Sequence, residues 1–332
     1  MQKVLVAGGA GFIGSHLCKS LLEDGCEVIC IDNLITGDER NVEDLVQNTK
    51  FRFIEKDITK SISNIIRRSP NQISSFDFAQ DRNIKYIFHL ASPASPNKKS
   101  KRSYINHPIE TLLANSVGTY NLLMLARKQN AKFLYASSSE IYGDPKVSPQ
   151  NEEYFGNVNP NGIRSVYDEG KRFGESLTFA YVRKHNVNAR IVRIFNTYGP
   201  NMQIDDGRVV SNFVNQAIYG KPITVYGNGS QTRSFCYIDD MVEGLKLAMF
   251  SSGTRGEVIN LGNSYETTIL ELAKLIKRIT NSSSQIIFED LPEEDPKSRK
   301  PDITKAKRLL GWEPKVSLND GLSKTIEYFR RA

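Results

Sequence analysis

The 332-residue sequence lacks the features that mark several special classes of protein. Its four cysteines, Cys18, Cys26, Cys30 and Cys236, form neither CxxC pairs nor a disulfide framework. No run of 18 apolar residues occurs, which argues against a membrane-spanning helix. The first residues, MQKVLVAGGAG, do not resemble a signal peptide. We therefore expect a cytoplasmic protein with reduced thiols, no membrane partner and no metal site.

The positive charge is not concentrated in the way that nucleic-acid binding requires. The net charge is +7, which suits either a nucleic acid or an anionic small molecule. Basic residues are dispersed apart from KKSKR at 98–102 and KSRK at 297–300, and RNP motifs, zinc-finger patterns and basic helices are missing. A solvated basic surface or an anionic substrate explains the charge better, so we expect no nucleic-acid partner.

Apolar runs alternate with helical patterns over the first two thirds of the chain. The helical patterns are SHLCKSLLED, PIETLLANSVGTYNLLMLARK and YDEGKRFGESLTFAYVRKH. The predicted strands are KVLVA (3–7), CEVICID (26–32), FRFIEKD (51–57), KYIFHLA (85–91), KFLYASS (132–138) and ARIVRIF (189–195). Their continuous hydrophobicity predicts a parallel sheet covered on both faces. The alternation therefore predicts an α/β protein with a doubly wound, Rossmann-type sheet.

The pattern changes after FNTYGP at 195–200, where glycine and polar residues become more frequent. Short strands in PITVYGNG and TRSFCYI accompany helical patterns in TILELAKLIKRIT and LNDGLSKTIEYFRR. We predict a Rossmann domain over residues 1–195 and a smaller α/β lobe over residues 196–332, with an approximate boundary and interleaving segments. Polar residues 69–83 are expected to form a surface excursion. The lobe would cover the carboxyl ends of the strands, where open α/β sheets bind ligands.

The segment GGAGFIG at 8–14 follows the first predicted strand and opens the first predicted helix. Gly8 permits a tight turn, Gly11 lets the backbone approach a pyrophosphate, and Gly14 allows close packing of the helix. The N-terminus of that helix then faces the phosphates of a bound dinucleotide. A plain glycine turn is the alternative explanation.

Asp32 ends the second predicted strand and supports the dinucleotide interpretation. A carboxylate there accepts hydrogen bonds from a ribose and repels a 2′-phosphate, and Asn33 follows it rather than an arginine. NAD is therefore favoured over NADP as the cofactor. For Asp57 a helix or turn cap is an equally good explanation. The other expected cofactor contacts lie beside these motifs or at the ends of the third and fourth strands: Phe12, Ile13, Asn33, Asp57, Ile58, Leu90 and Ala91.

The segment SVYDEGK at 165–171 places Tyr167 one helical turn before Lys171. Residues four apart share a helix face, so the ammonium is expected to lie close to the phenol. A nearby positive charge favours the phenolate and lowers the pKa of the tyrosine, which would then accept a proton more readily. An ordinary amphipathic helix with a half-buried tyrosine is the alternative.

Together these motifs resemble the extended short-chain dehydrogenase/reductase family, in which NAD-dependent epimerases and dehydratases occur. The resemblance rests on the order and spacing of GGAGFIG, SSSEIYG, YDEGK and RIFNTYGP. Within the family it is greatest to UDP-glucuronate decarboxylases, in HLASPASP (89–96), GDPKVSPQNEEYFGNVNPNGIRSVYDEGKR (143–172), FNTYGPNMQIDDGRVVSNFV (195–214), QTRSFCYIDDMVEGL (231–245) and RKPDITKAKRLLGWEPKVSL (299–318). It implies bound NAD, a nucleotide-sugar substrate and a homodimer formed by two long helices of each subunit.

The resemblance also implies roles for individual residues. Tyr167 and Lys171 match the catalytic tyrosine and its lysine, which would also bind the nicotinamide ribose. Ser138, Ser139 and Glu140 match the family's hydroxyl–Ser–Glu stretch, and Arg299 matches an arginine that reaches the sugar carboxylate. Residues at positions that contact the nucleotide sugar are Asn115, Asn196, Arg208 and Arg233.

The implied reaction is the decarboxylation of UDP-glucuronate. Oxidation at C4 of the sugar gives a β-keto acid that loses carbon dioxide, and return of the hydride yields UDP-xylose and regenerates NAD. Tyr167 is expected to be the base, and Ser138 or Ser139 to donate a hydrogen bond to the developing carbonyl oxygen. Glu140 and Arg299 are expected to orient the carboxylate and to manage protons at C5.

Other functions remain open from the sequence. UDP-glucuronate 4-epimerase is the main alternative, whereas a 4,6-dehydratase would carry an acidic pair in place of Ser139–Glu140. A catalytically inactive NAD-sensing regulator would be expected to lose Tyr167. The basic segment NKKSKRS at 97–103 departs from the family pattern beside the expected sugar site.

Overall fold

The computed structural model describes residues 2–60, 83–291 and 298–331. The surface excursion expected at 69–83 lies outside these residues except for Asn83. The strands of the described part are β1 (Lys3–Ala7), β2 (Glu27–Asp32), β3 (Phe51–Glu55), β4 (Ile84–His89), β5 (Lys132–Ser138), β6 (Ala189–Ile194), β7 (Thr197–Tyr198), β8 (Ile223–Tyr226), β9 (Thr232–Ser234), β10 (Cys236–Tyr237), β11 (Val258–Leu261), β12 (Glu266–Thr268), β13 (Ile286–Glu289) and β14 (Ser298–Arg299).

The helices of the described part cover the sheet and build the C-terminal region. They are α1 (Phe12–Glu23), α2 (Pro108–Leu113), α3 (Thr119–Gln129), α4 (Ser165–His185), α5 (Val209–Ile218), α6 (Ile238–Phe250), α7 (Ile269–Thr280), α8 (Thr304–Leu310) and α9 (Leu318–Arg331). None of these described helices combines the length and the apolar character needed to cross a bilayer.

Seven parallel strands form the central sheet in the spatial order β11, β6, β5, β4, β1, β2, β3. Its chain order reverses next to β1, as it does in a doubly wound sheet. The predicted Rossmann-type fold is therefore confirmed. The carboxyl ends of β1, β2, β4 and β5 meet at one edge of the sheet, where a ligand crevice is expected.

Both faces of the sheet are buried, which explains the unbroken apolar runs. Successive side chains of a strand point to opposite faces. In β1, Val4 and Val6 pack in the cluster that contains Leu17 of α1, whereas Leu5 packs in the cluster that contains Leu122 of α3. Helices on both sides therefore remove the need for a polar face on any central strand.

The C-terminal part of the chain contributes to both regions of the molecule. Strand β11 pairs with β6 and extends the central sheet, although it lies beyond residue 195. Smaller sheets join β8 to β13, and β9 to β12 and β14. The segments interleave across the expected boundary, and the division into 1–195 and 196–332 stays a prediction.

The helical pattern at 108–128 forms two helices joined by a wider π-helical turn at Ala114–Gly118. Asn115 lies in this turn and is fully buried. Its amide donates to Ser92 Oγ at 2.8 Å and accepts a hydrogen bond from Tyr135 Oη at 2.9 Å. The turn thus inserts a polar side chain between the helix and the sheet.

Helix α4 carries Tyr167 and Lys171 and approaches β5 closely through a glycine. A Cβ on Gly174 would lie 2.2 Å from Cζ and Oη of the buried Tyr135. Gly170, one turn earlier, has more room, because its Cβ would meet Asn115 at 3.5 Å. The two glycines of α4 therefore provide a matched pair of positions for testing how closely the helix packs against Tyr135 of β5.

We expect Gly174→Ala to lower the free energy of unfolding by about 1–3 kcal/mol, because overpacking displaces side chains or backbone. Gly170→Ala is the control and should be neutral or stabilising by up to about 1 kcal/mol, since alanine favours helix. Chemical denaturation of both variants measures the difference. A Gly174→Ala protein as stable as the wild type would contradict the close seating of α4 on Tyr135.

Candidate active site

Two adjoining cavities lie at the carboxyl edge of the sheet, one of about 340 Å³ and one of about 840 Å³. Gly8, Gly11 and Leu90 line both of them. The smaller cavity lies beside the ends of β2 and β3, and the larger one lies between the sheet and the C-terminal region. This is the crevice that the fold class predicts for ligands.

The glycine segment forms the wall between the two cavities. Gly8 has φ +81°, and a Cβ on it would lie 2.5 Å from Ala91 N. A Cβ on Gly14 would lie 2.1 Å from Gly8 O, so only glycine lets α1 pack against the turn. The N-terminus of α1 has neither a side-chain cap nor an acidic residue in its first turn. Its exposed N–H groups therefore suit a phosphate.

Asp32 lies at the end of β2 in the wall of the smaller cavity. Its carboxylate accepts hydrogen bonds from Ala10 N at 3.0 Å and Leu34 N at 2.9 Å. Burial raises the pKa of Asp32, while these backbone hydrogen bonds act in the opposite direction. The backbone thus fixes the carboxylate where a ribose is expected.

The remaining residues expected at the cofactor also lie in these walls. Asn33, Asp57, Ile58 and Ala91 line the smaller cavity, whereas Phe12, Ile13 and Gly14 line the larger one. An uncapped helix N-terminus beside a fixed carboxylate is a donor and acceptor set that fits a dinucleotide such as NAD. Their roles in binding stay predictions.

Tyr167 lies in the larger cavity, buried beneath a second tyrosine. The ring of Tyr104 stacks on it with a centroid distance of 5.1 Å and an interplanar angle of 16°. Burial raises the pKa of Tyr167 to about 12, although hydrogen bonding with Ser138 acts in the opposite direction. The phenol is therefore protonated at neutral pH in this arrangement.

Lys171 does not lower the pKa of Tyr167 as the sequence analysis expected. Its Nζ donates to Ala136 O at 2.8 Å and lies 5.6 Å from the centroid of the Tyr167 ring. Burial lowers the pKa of Lys171 to about 7, so the amine itself loses much of its charge near neutral pH. The expected lowering of the Tyr167 pKa is not found, because burial disfavours the charged form of each group and has the largest effect on both pKa values.

The serines expected near the reacting carbon follow directly on β5. Ser138 Oγ caps the short helix Ser139–Tyr142 by accepting from Glu140 N at 3.2 Å. Ser139 Oγ accepts from Arg299 Nη1 at 3.1 Å. Both serines line the larger cavity. Ser138 is thereby held beside Tyr167, and Ser139 beside the charged end of the cavity.

Glu140 lies between two guanidinium groups at that end of the cavity. Arg299 Nη1 lies 2.6 Å from Glu140 Oε1, and Arg164 contacts Oε2. Burial alone would raise the pKa of Glu140, but the charges of Arg299 and Arg164 outweigh it and lower the pKa to about 2. Glu140 is therefore a carboxylate over the physiological range, and it is poorly suited to donate a proton.

The two arginines differ in how much of their surface faces the cavity. Arg299 also donates to Gly143 O at 2.9 Å, and its side chain is 3% exposed. The side chain of Arg164 is 19% exposed. Both arginines line the larger cavity, and most of the Arg299 side chain lies against Glu140 and Gly143. That Arg299 reaches the sugar carboxylate stays a prediction.

Asp168 is a second buried carboxyl group close to this cluster. Burial raises the pKa of Asp168 to about 7, and the negative charge of Glu140 acts in the same direction. Its Oδ1 has no hydrogen-bond partner among the residues that the structure describes. Asp168 therefore holds a proton more readily than Glu140 does.

Three of the four residues expected at the nucleotide sugar line the larger cavity: Asn196, Arg208 and Arg233. Arg208 forms an ion pair with Asp206 at 2.5 Å and lies over the Phe12 ring at 5.9 Å. Asn115 is not among the residues that line either cavity, because the π-helical turn directs it into the core behind Ser92. Its expected contact with substrate is not supported by this position.

Sequence reasoning missed Arg164, Asp168 and Tyr104. Arg164 stands three residues before Tyr167, so helical spacing provided a signal that went unused. Asp168 follows Tyr167 directly, but its burial has no signature in the sequence. Tyr104 stacks on Tyr167 from a loop 63 positions away, a contact that only the fold creates.

Comparisons with known proteins agree with this geometry. Residues 4–262 match the model of the NAD dependent epimerase/dehydratase family. The chain is 48% identical over 330 residues to UDP-glucuronic acid decarboxylase 1 of Xenopus tropicalis, covering 99% of this chain and 72% of that protein. It is 49% identical over 329 residues to UDP-glucuronic acid decarboxylase 2 of Arabidopsis thaliana, covering 99% and 68%.

A solved structure is similar over the same length. The UDP-glucuronic acid 4-epimerase of Bacillus cereus, determined with UDP-glucuronic acid and NAD, matches with a TM-score of 0.84 and 30% identity over 99% of both chains. The fold is thus similar to that of an epimerase, whereas sequence identity is higher to the two decarboxylases.

Proposed function

Because this chain belongs to the NAD dependent epimerase/dehydratase family, we propose that it converts UDP-glucuronate to UDP-xylose and carbon dioxide, with NAD as its cofactor. The observation that carries the proposal is the cluster of Glu140, Arg164 and Arg299 in the larger cavity. Two guanidinium groups surround the ionised Glu140, and the nearby Asp168 holds a proton below a pH of about 7, so part of the positive charge is left uncompensated. A sugar carboxylate is the substrate group that would balance that charge.

The glycine segment and Asp32 would hold NAD, with the pyrophosphate at the N-terminus of α1 and the adenosine ribose at the carboxylate. Bound nicotinamide supplies reversible hydride acceptance, so the overall reaction is redox-neutral. Lys171 would contact the nicotinamide ribose from its position behind Tyr167. The smaller cavity would accommodate the adenosine end.

Tyr167 and Ser138 would handle the proton of the sugar 4-hydroxyl. Tyr167 lies in the cavity and hydrogen-bonds with Ser138. It would accept the substrate proton as the phenolate, so the phenol would first have to lose its own proton, which the positive charge of a bound oxidised nicotinamide would favour. The Ser138 hydroxyl would then donate to the carbonyl oxygen that forms at C4.

Once C4 is a ketone, the substrate is a β-keto acid. The electron pair of the bond between C5 and the carboxylate carbon moves toward the ketone as carbon dioxide leaves, and C5 then takes up one proton. Glu140 is ionised and paired with two arginines, so its role would be to position them rather than to supply that proton. Arg164 would face the substrate carboxylate, since more of its side chain is exposed.

A second candidate function is epimerisation at C4 of UDP-glucuronate. The similar fold of the Bacillus cereus epimerase favours it. Epimerisation retains the carboxylate and gives UDP-galacturonate, whereas decarboxylation removes it. The products therefore separate the two candidates.

We also propose a homodimer in a cytoplasmic setting, where its four unpaired, buried cysteines stay reduced. Helices α2, α3 and α4 carry large apolar side chains at the surface, among them Ile109 (62% exposed) and Phe173 (51% exposed). Such a patch suits association with a second copy. Light scattering at micromolar concentration should give twice the mass of one chain, and the mass of a single chain would contradict the proposal.

The proposed reaction is tested with purified protein and UDP-glucuronate, with products identified by mass and carbon dioxide measured. We expect one carbon dioxide and one UDP-xylose per UDP-glucuronate consumed. Tyr167→Phe should lower the rate by about 10²- to 10⁴-fold, because only the proton-exchanging oxygen is removed. Tyr265→Phe, an exposed position outside the cavities, is the matched control and should keep the wild-type rate.

Formation of UDP-galacturonate with its carboxylate retained would establish the epimerase instead. Loss of water from UDP-glucose, with UDP-glucuronate untouched, would point to a dehydratase. A decrease of less than tenfold in Tyr167→Phe would show that another group takes the proton.

A further inference from the structure

The basic segment at 97–103 is an ordered part of the cavity wall. Asn97 Nδ2 donates to Asp205 O at 3.0 Å, and Ser100 Oγ donates to Asp205 Oδ2 at 2.9 Å. A Cβ on Gly207 would lie 2.2 Å from the Asn97 Cβ, so the two segments are in close contact. The segment is therefore fastened to the loop before α5 and has a defined position.

Arg102 extends from this segment to the loop that follows β2. Its two terminal nitrogens each lie 3.4 Å from Asp38 Oδ2. Asp38 is bound more tightly by Arg40, whose Nε and Nη2 lie 2.9 and 2.6 Å from the two carboxylate oxygens. Arg102 therefore lies at the edge of an ion pair that is already complete.

The position of Asp38 ties Arg102 to the glycine segment. Asp38 N donates to Ala10 O at 3.0 Å, and Asn41 Nδ2 donates to the same oxygen at 2.9 Å. Arg102 lines the larger cavity together with Gly11 and Phe12, at the N-terminus of α1. Its side chain is 33% exposed, so the guanidinium is accessible from the cavity.

The positive charge of Arg102 is not neutralised by Asp38, because Asp38 is already paired with Arg40. Hydrogen bonding to Arg40 lowers the pKa of Asp38 to about 2, and Arg40 compensates the resulting carboxylate. The side chain of Arg40 is 80% exposed, and Arg40 is not part of the cavity wall. By contrast, the Arg208 guanidinium in the same wall is matched by its own Asp206.

We propose that Arg102 is a further cofactor-binding residue, which supplies a cation to the pyrophosphate of NAD at the glycine segment. Arginine suits this ligand because its planar fork donates to two phosphate oxygens. The proposal rests on the NAD-binding part of the proposed function and is independent of the chemistry at the sugar. It gives the basic segment a role in retaining the cofactor.

The test follows NAD dissociation from the purified holoprotein, measured as the NAD that stays bound at timed intervals after dilution. Arg102→Met should release NAD about 10- to 100-fold faster, as expected for loss of a charged hydrogen bond. Arg102→Lys keeps the charge but loses the planar fork, so its rate of NAD release should lie between those of the wild type and Arg102→Met. Lys99→Met removes the same charge from an exposed position outside the cavity wall and should release NAD at the wild-type rate.

A second variant separates ligand binding from simple fastening of the segment. If Arg102 serves only to fasten its segment to Asp38, Asp38→Asn should speed NAD release as much as Arg102→Met does. If Arg102 binds the pyrophosphate, Asp38→Asn should hold NAD as well as or better than the wild type, since a nearby negative charge is removed. Unfolding midpoints confirm that each variant is folded.

One other result would overturn the proposal, namely an Arg102→Met protein that releases NAD at the wild-type rate. If that protein also bound UDP more weakly, Arg102 would be assigned to the nucleotide sugar. A protein that shows the predicted NAD behaviour but makes no UDP-xylose would contradict the sugar chemistry and leave the role of Arg102 standing.

Discussion

The ion pair between Glu140 and Arg299 joins two parts of the chain that are 159 positions apart. Glu140 follows β5 of the central sheet, whereas Arg299 lies in β14 beside Arg233 of β9. The backbone of Gln150 supports the junction, since its N–H donates to Lys300 O at 2.8 Å and its carbonyl accepts from Asp302 N at 2.8 Å. Removing one partner of a buried ion pair costs about 3–5 kcal/mol. The charged end of the cavity thus exists only when both parts of the chain are docked.

Much of the fold and of the cofactor region was predictable because local rules govern them. Continuous apolar runs indicate strands that are buried on both faces of the sheet. The segment GGAGFIG, followed by Asp32 at the end of the next strand, indicates a dinucleotide-binding turn. The sites of Tyr167 and Ser138 followed from a short motif and a family resemblance. In each case the signal lies within a few residues of the chain.

The parts that were missed depend on burial and on contacts distant in sequence. The four-residue spacing predicted that Lys171 lies beside Tyr167. It could not predict how deeply the two side chains are buried, and burial has the largest effect on both pKa values. Asn115 was expected at the substrate, yet a π-helical turn directs it to Ser92 and Tyr135. Tyr104 and Arg102 reach the cavity through tertiary contacts, whereas Arg164 had a local signal in its spacing from Tyr167 that went unused.

The wall of the larger cavity has more positive than negative charge at two places. At the glycine segment, Arg40 and Arg102 both lie beside the single carboxylate of Asp38. At the other end, Arg164 and Arg299 both contact Glu140. We infer that the positive charge of Arg164 and Arg299 recognises the sugar carboxylate, with Arg164 as the group that contacts it. The most direct measurement is the calorimetric affinity of the slow Tyr167→Phe protein for UDP-glucuronate and UDP-glucose, which differ only at C6, where one has a carboxylate and the other a hydroxymethyl group. Adding Arg164→Met to this protein should weaken UDP-glucuronate binding by about 10- to 100-fold and leave UDP-glucose binding unchanged. Equal weakening of both ligands, or an unchanged preference for UDP-glucuronate, would contradict it.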